Sequence, residues 1–416
     1  MASEWSTCRL EELAAPNDGS IAIGPFGSRL KADSYVNDGV ALIRGTNLGQ
    51  GKSLSGQFVF ITPEKASELG NANLKPGDLV FPHRGAIGEV GIVPNDGRSY
   101  ALSTSLMKIT LDPERADAEF FFYFFTSNAG RFELLKNASQ VGTPGIATPL
   151  QSLRGCIVPN LPLEEQRAIA ETLGALDDRI DNLRRTNATL EAIAAALFKS
   201  RFIDFDCVPP ENMQESELGL IPKGWRVRTL GEAFEINPKR ELKKGTIAPY
   251  LDMASLPTTG AVPNMPVPRE FSSGTKFTND DTLLARITPC LENGKTALVN
   301  FLEQGQVGWG STEFIVLRPK PPLPPFFGYL LARRADFREH AIRAMSGTSG
   351  RQRVEVSQLR NFKLAIPDET AANDFAEFVE PLQEALLANE AQAVILAALR
   401  NTLLPRLISG QLREKQ

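Results

Sequence analysis

One stretch constrains this chain more than any other: Leu163 to Phe202 contains almost no helix breaker. Between residues 165 and 203 there is no proline, and Gly174 is the one glycine. Ile169, Leu173, Leu176, Ile180, Leu183, Leu190, Ala194 and Leu197 recur at alternating steps of four and three, with Asn187 standing on the same stripe. That spacing lines one face of an α-helix. Charged residues fill the other faces. The spacing predicts a single helix of about 38 residues, about 57 Å long at 1.5 Å per residue. An average globular helix has only about 11–12 residues. A stripe this narrow on a helix this long needs a second helix to cover it.

The second helix is in the same chain. Phe375, Val379, Leu382, Leu386, Asn389, Ala393, Leu396, Leu403 and Leu407 follow the same alternation. A shift of 206 positions lays Ile169 on Phe375, Leu176 on Leu382, Leu190 on Leu396 and Leu197 on Leu403. The duplication extends upstream, where WSTCRLEELA from Trp5 matches WRVRTLGEAF from Trp225. Short apolar runs broken by Gly, Pro and Asn read as strands: VALIRGTNL, QFVFIT, GDLVFPHRG, EVGIVP and STSLMKITL in the first copy. APYLDMASL, DTLLARIT, KTALVN and STEFIVLRP occupy matching places in the second. EFFFYFFTSNAGRFELLKNA and PFFGYLLARRADFREHAIRAM read as a helical stretch in each copy, followed by a Gly-rich loop and a short apolar strand. A repeat of about 205 residues is too long for a solenoid and implies a duplicated domain-plus-helix unit. At 416 residues the chain also exceeds what one core usually serves. The expected fold is therefore α+β: two similar mixed α/β domains, residues 1–160 and 205–367, each followed by a long helix, residues 161–204 and 368–416. Residues 208–224, rich in Pro and Gly, read as the linker between copies.

Composition narrows the function. The chain is 42% hydrophobic and 23% charged, ordinary for a soluble protein. No apolar run approaches the roughly 20 residues of a membrane span. MASEWSTCRLEELAAP lacks the basic-then-apolar order of a secretory signal. Cys8, Cys156, Cys207 and Cys290 are scattered and form no CxxC, and there are two histidines, so a zinc site is not expected and a reducing cytoplasm is. Net charge is −4, but it is uneven: −2 for residues 1–160, −2 for 161–204, +4 for 205–367 and −4 for 368–416. Leu331 to Lys363 alone holds eight cations. A basic cluster on an acidic chain points to local electrostatics aimed at one partner, or else to a solvated face.

The common catalytic motifs fail on spacing. GQGKS and ENGKT end like a phosphate-binding loop, but the glycine required five positions before the Gly-Lys pair's glycine falls on Thr46 and Pro289. LPPF at 323–326 lacks the acceptor that an Asn/Asp-Pro-Pro-aromatic methyltransferase loop needs at its first position. His83 and His340 lie in different copies and read as surface or structural residues. Ser103-Thr104 and Ser311-Thr312 are copy-equivalent, and no Gly-x-Ser-x-Gly elbow surrounds them. Asp177-Asp178 reads as a solvated pair on the helix surface. What remains is a set of polar and basic loops that recur in the copies. GPFGSRLK carries Arg29 and Lys31, IRGTN carries Arg44, Thr46 and Asn47, and FPHRG carries Arg84, matched in ARIT by Arg286. SQVGTPG, with Gln140 and Thr143, corresponds to SGTSGRQR, with Ser346, Thr348, Arg351 and Arg353; Arg343 lies just before it. Glycines let backbone amides approach phosphates, and Arg, Asn and Gln read base edges bidentately. These residues are the candidate DNA contacts.

PNLPLEEQRAIAETLGALDDRIDNLRR with LFKSRFIDFD, the GPFGS turn, the RGAIGEVGIV strand pair and the closing TLLPRLISGQLR carry a family resemblance. The chain resembles, over essentially its whole length, the specificity subunits of type I restriction-modification enzymes. The resemblance implies two target recognition domains, each reading one half of a split DNA sequence. It implies that the two long helices form an antiparallel coiled coil, with the copies related by a pseudo-twofold axis. It also implies a cytoplasmic, non-catalytic subunit with no cofactor of its own, working in defence against foreign DNA. Its partners would be double-stranded DNA, two modification subunits that methylate adenine with S-adenosylmethionine, and restriction subunits that use ATP and Mg. The alternatives are a coiled-coil scaffold without DNA binding and the specificity part of another methyltransferase-type defence system.

Antiparallel helices pack a against d, so residue numbers in facing layers sum to a constant. Centring the stripes gives a sum of 576, which sets Asn187 against Asn389. A register one heptad away would bury each amide against an apolar residue, at a cost of about 1–3 kcal/mol.

Overall fold

The computed structural model of the chain describes residues 5–26, 29–49, 51–139, 142–348 and 350–412. Two compact units emerge, Met1–Asp181 with Val394–Gln416, and Asn182–Ala393. Each long helix is shared between the units, so segments 161–204 and 368–416 are not separate bodies. No helix among the described residues is long and apolar enough to cross a membrane.

In the first unit, two four-stranded sheets form. One runs in the order Ile21–Ile23, Leu106–Ile109, Leu79–Pro82, Gly91–Ile92. The other runs Val59–Ile61, Val40–Ile43, Tyr100–Leu102, Asn73–Leu74, with Val40–Ile43 and Tyr100–Leu102 parallel. Val40–Ile43, Leu79–Pro82 and Leu106–Ile109 are buried at every residue. Apolar runs without alternation belong in strands covered on both faces. Lys108 breaks the apolar pattern of its strand because it has a buried partner. Its ammonium donates to Asp78 Oδ2 at 2.7 Å and to Asn73 O at 3.1 Å, while Thr110 Oγ1 donates to Asp78 Oδ1 at 2.5 Å.

The helical stretch after these strands is made of two helices, Ala118–Thr126 and Asn128–Leu135. Ser127 ends the first and caps the second, its Oγ accepting from Gly130 N at 3.3 Å. A Cβ on Gly130 would stand 2.2 Å from Phe124 O, so the turn closes only over glycine. The six aromatics from Phe120 to Phe125 are all buried. Ile169, Leu173, Leu407 and Ile408 enter the same core. Asp177 corrects the surface reading of the Asp177-Asp178 pair: its side chain is buried, accepts from Tyr123 Oη at 2.9 Å and is paired with Arg400. Burial, then the neighbouring carboxylate, pushes the Tyr123 hydroxyl far above its ordinary pKa. Asp178 is exposed and shares Lys52 with Glu119, at 3.6 and 2.8 Å.

The second unit repeats the plan strand for strand. Its sheets run Phe234–Ile236, Phe314–Pro319, Thr282–Ala285, Thr296–Leu298, and Val267–Glu270, Ile247–Leu251, Gly308–Gly310, Thr275–Phe277. The parallel pair recurs between Ile247–Leu251 and Gly308–Gly310. Asp281 takes the place of Asp78, fully buried, but its cations are arginines: Arg240 Nη2 lies 2.9 Å and Arg318 Nε 2.8 Å from Oδ1. The stretch 208–224, read as a linker, folds into a hairpin of Met213–Ser216 with Gly219–Pro222.

The helices span Leu163–Lys199 and Glu369–Ser409. The second runs through Pro381 and Pro405, both on exposed positions where water can serve the carbonyls that proline leaves without a donor. Within the second unit the two helices are antiparallel. Asn187 lies beside Leu386 and Asn389, and Phe198 packs on Phe375 with ring centroids 6.1 Å apart. Leu183, Asn187, Phe375, Val379, Leu386 and Ala393 are buried, with Leu190, Leu197 and Leu382 packed partly buried around the core. At the end of the first helix the buried residue is Phe198 rather than Leu197. It joins Phe202, Phe327 and Phe375 in an aromatic cluster with centroids 4.7–6.4 Å apart. In the first unit Ile180 is buried, while Leu176, Leu396 and Leu403 are half-buried.

Candidate nucleic-acid interface

The loops singled out in the first copy meet at one edge. Ser103 N donates to Ile43 O at 3.0 Å, which brings the IRGTN turn beside the STS turn. Gly24 N donates to Leu106 O at 2.8 Å, and a Cβ on Gly24 would lie 1.9 Å from Ser103 O, so position 24 of the GPFGS motif can approach there only as glycine; Gly27 and Ser28 of the motif lie outside the described residues. His83 N donates to Ser105 O at 2.9 Å. The hairpin Ala138–Ser139 with Gly145–Ile146 is fastened on the other side, with Ile146 N donating to His83 O and Gly85 N to Pro144 O, each at 2.9 Å.

On this edge Thr46, Arg84 and Thr143 are exposed, and Arg29 and Lys31, further along the chain from Gly24, are exposed too. Gln140 lies outside the described residues. Asn47 corrects the expectation for its turn. Its side chain is buried, with Oδ1 accepting from Arg44 N at 3.0 Å and Nδ2 donating to Ser55 O at 2.8 Å, so it braces the loop and is not free to read a base. Arg44 is half-buried and donates through Nη2 to Gln57 O at 2.7 Å, part of the same brace.

The second unit builds its edge with the same hydrogen bonds. Ser311 N donates to Leu251 O at 3.2 Å, Arg286 N to Glu313 O at 3.0 Å, Val354 N to Arg286 O at 2.9 Å and Thr288 N to Gln352 O at 3.1 Å. This register corrects one expected equivalence. Arg286 takes the position of His83, and Ile287 that of Arg84, because Val354 and Ile146 donate to Arg286 and His83 respectively. Asp252 occupies the position of Arg44 and accepts Ser255 N and Oγ, each at 2.8 Å. Thr348 and Arg351 are exposed, Ser346 Oγ donates to Glu355, and Arg343 is exposed on its helix at 3.5 Å from Glu339.

Glu313, which the motif search passed over, lies at the centre of this edge. Arg353 Nε donates to Glu313 Oε1 and Oε2 at 2.9 and 3.0 Å, and its Nη2 lies 2.8 Å from Oε1. Arg286 Nε lies 3.6 Å from Oε2. The same position in the first unit is Ser105, beside His83, whose Nε2 is 3.3 Å from Thr104 O. Burial holds the His83 imidazole below its ordinary pKa, and the charge of Arg84 adds to that. His340 is structural: its ring packs on Phe362 and Nε2 lies 3.3 Å from Gln358 O.

A duplicated α/β unit presenting the same loop edge twice, with long paired helices and free cysteines at Cys8, Cys156, Cys207 and Cys290, defines a two-domain recognition protein. The type I restriction modification DNA specificity domain matches residues 27–192 and 222–396. The MjaIX type I restriction enzyme specificity subunit of Methanocaldococcus jannaschii is 26% identical over 369 residues, 86% of this chain and 82% of that one. The HindI specificity subunit of Haemophilus influenzae is 31% identical over 167 residues, 39% of this chain and 36% of that one. The crystal structure of an S subunit from M. genitalium shares the fold, with TM-score 0.59 and 16% identity over 100% of this chain and 97% of that one. The chain belongs to the DNA specificity subunits of type I restriction-modification systems, the non-catalytic members of those systems. Its partners are accordingly DNA and the methyltransferase and restriction subunits.

Proposed function

We propose that each unit reads one half of a split DNA target through its loop edge. The observation that carries this is the strand-for-strand repetition of that edge, with the same inter-loop hydrogen bonds and different side chains at matching positions. Equal scaffolds with unequal side chains suit two different half-sites. Arg29, Lys31, Thr46, Arg84 and Thr143 serve the first half-site. Arg286, Arg343, Ser346, Thr348, Arg351 and Arg353 serve the second. In this reading the chain works in the cytoplasm with two modification subunits, which supply adenine methylation from S-adenosylmethionine, and with restriction subunits that use ATP and Mg. The chain itself holds no cofactor.

The test is a genome-wide map of methylated adenine in cells that carry the modification subunits with and without this chain. A two-part motif that appears only with the chain supports the reading. Arg84→Ala should alter one half of that motif and Arg351→Ala the other. Methylation that is unchanged by removal of the chain overturns it.

A further inference from the structure

We infer that Arg353 reads a guanine in the half-site of the second unit, and that Glu313 is the positioning residue that aims it. The inference rests on the edge reading proposed above.

Glu313 occupies the Nε–Nη2 side of the Arg353 guanidinium. A carboxylate held on that side removes most of the side chain's rotational freedom before any ligand arrives. Nη1 has no partner among the described residues, and the Arg353 side chain is 43% exposed. The remaining Nη1–Nη2 edge of the fork is therefore preformed and accessible. Two parallel N–H donors suit two ligand chemistries, the N7 and O6 acceptors of guanine and the oxygens of a phosphate. Charge decides between them. A phosphate bound to this fork would sit close to the Glu313 carboxylate and be repelled by it. A neutral base edge meets no such penalty. Arg286, on the other side of Glu313, offsets the carboxylate's charge and keeps it in place. The first unit has Ser105 and His83 at the positions of Glu313 and Arg286, so it cannot form this device and must read its own half-site by other means.

The experiment uses the assembled complex of this chain with its modification subunits and duplexes carrying the methylated motif. Each guanine of the second half-site is replaced in turn by 7-deazaguanine, which lacks the N7 acceptor. Binding by the wild-type complex should fall on the order of 10-fold or more at one guanine. Arg353→Ala should bind the guanine and 7-deazaguanine duplexes equally, with the first half-site still discriminated, and Arg353→Lys, which lacks the planar fork, should keep only part of the discrimination. Glu313→Ala should lose most of that discrimination, Glu313→Gln should keep part of it, and both should keep the dependence of binding on salt. If Arg353→Ala weakens every duplex alike and lowers the salt slope by about one, Arg353 holds a phosphate and the inference is overturned. Unchanged discrimination in Arg353→Ala, or a second half-site without guanine, overturns it as well. A wild-type complex with no sequence preference would instead sink the edge reading itself.

Discussion

Asn389 Nδ2 donates a hydrogen bond to Asn187 Oδ1 at 2.9 Å across the paired helices of the second unit. Asn187 Nδ2 in turn donates to Leu386 O at 3.1 Å. This is the layer that the constant sum of 576 specifies. Asn187 is buried and Asn389 half-buried, and an amide pair inside an apolar seam fixes register, since a slip parts the two amides. Asn187→Leu or Asn389→Leu alone should therefore cost about 1–3 kcal/mol. The double Leu variant should lose less than the two single losses added together, because no amide is left stranded. Urea midpoints of the four proteins measure the difference. Strict additivity would mean that the amides do not act on each other.

The ion pair of Lys108 with Asp78 makes a larger claim. Asp78 is fully buried and Lys108 nearly so. Removing one member leaves a buried charge uncompensated, which typically costs about 3–5 kcal/mol. Lys108→Met should unfold the first unit at markedly lower urea. Adding Asp78→Asn to it should recover part of the loss, and a double variant no better than the single one would contradict this account.

His83 makes the stability of the first unit depend on pH. Burial lowers its pKa in the folded chain, so as pH falls from neutral the unfolded chain takes up the proton first. Stability from this group is complete above the ordinary histidine value of about 6.5. It is lost as pH drops from there through the lower folded value, and it changes no further below that. In urea titrations at pH 7.5 and pH 5, the wild-type midpoint should fall more than that of His83→Gln. Equal falls would assign the pH dependence to other groups.

Helix length sets a further expectation under the split-target reading. Four residues inserted in each long helix add about 6 Å. That is close to two base pairs at about 3.4 Å each. Methylation mapping should return both halves of the motif with about two more bases between them, and an unchanged spacer would remove the link between helix length and target.

The long helices and the duplication were legible because period and repeat need only one dimension. The seam was readable up to Ala194. Beyond it a helix of 3.6 residues per turn drifts against a 3.5-residue stripe, and the buried face passes from Leu197 to Phe198. Asn47 was misread because a turn asparagine that braces its own backbone has the same local sequence as one that faces a ligand. Asp177 looked solvated because its partners, Tyr123 and Arg400, are distant in sequence. Glu313 carried one faint signal: STS in one copy is STE in the other. Its meaning depends on Arg353, 40 residues away, and only folding brings the two together.

The buried carboxylates Asp78 and Asp281 have a consequence for the gene. A coding sequence that contains two related halves is open to unequal exchange between them. Here the halves have drifted into different dialects at the same site. Asp78 is answered by Lys108 and Thr110, and the residues at those strand positions in the other half are Val316 and Arg318. A hybrid that joined the strand after Asp78 to the strand Phe314–Pro319 would exchange Lys108 for Val316 and Thr110 for Arg318, so the cation would reach the carboxylate from a different strand position. One that joined Asp281 to Leu106–Ile109 would lose Arg318 from its side, keep Arg240 and gain Lys108. Each exchange keeps a cation at the carboxylate but moves the position it comes from, so the two halves are interchangeable at this point of the core only if the side chains around it repack.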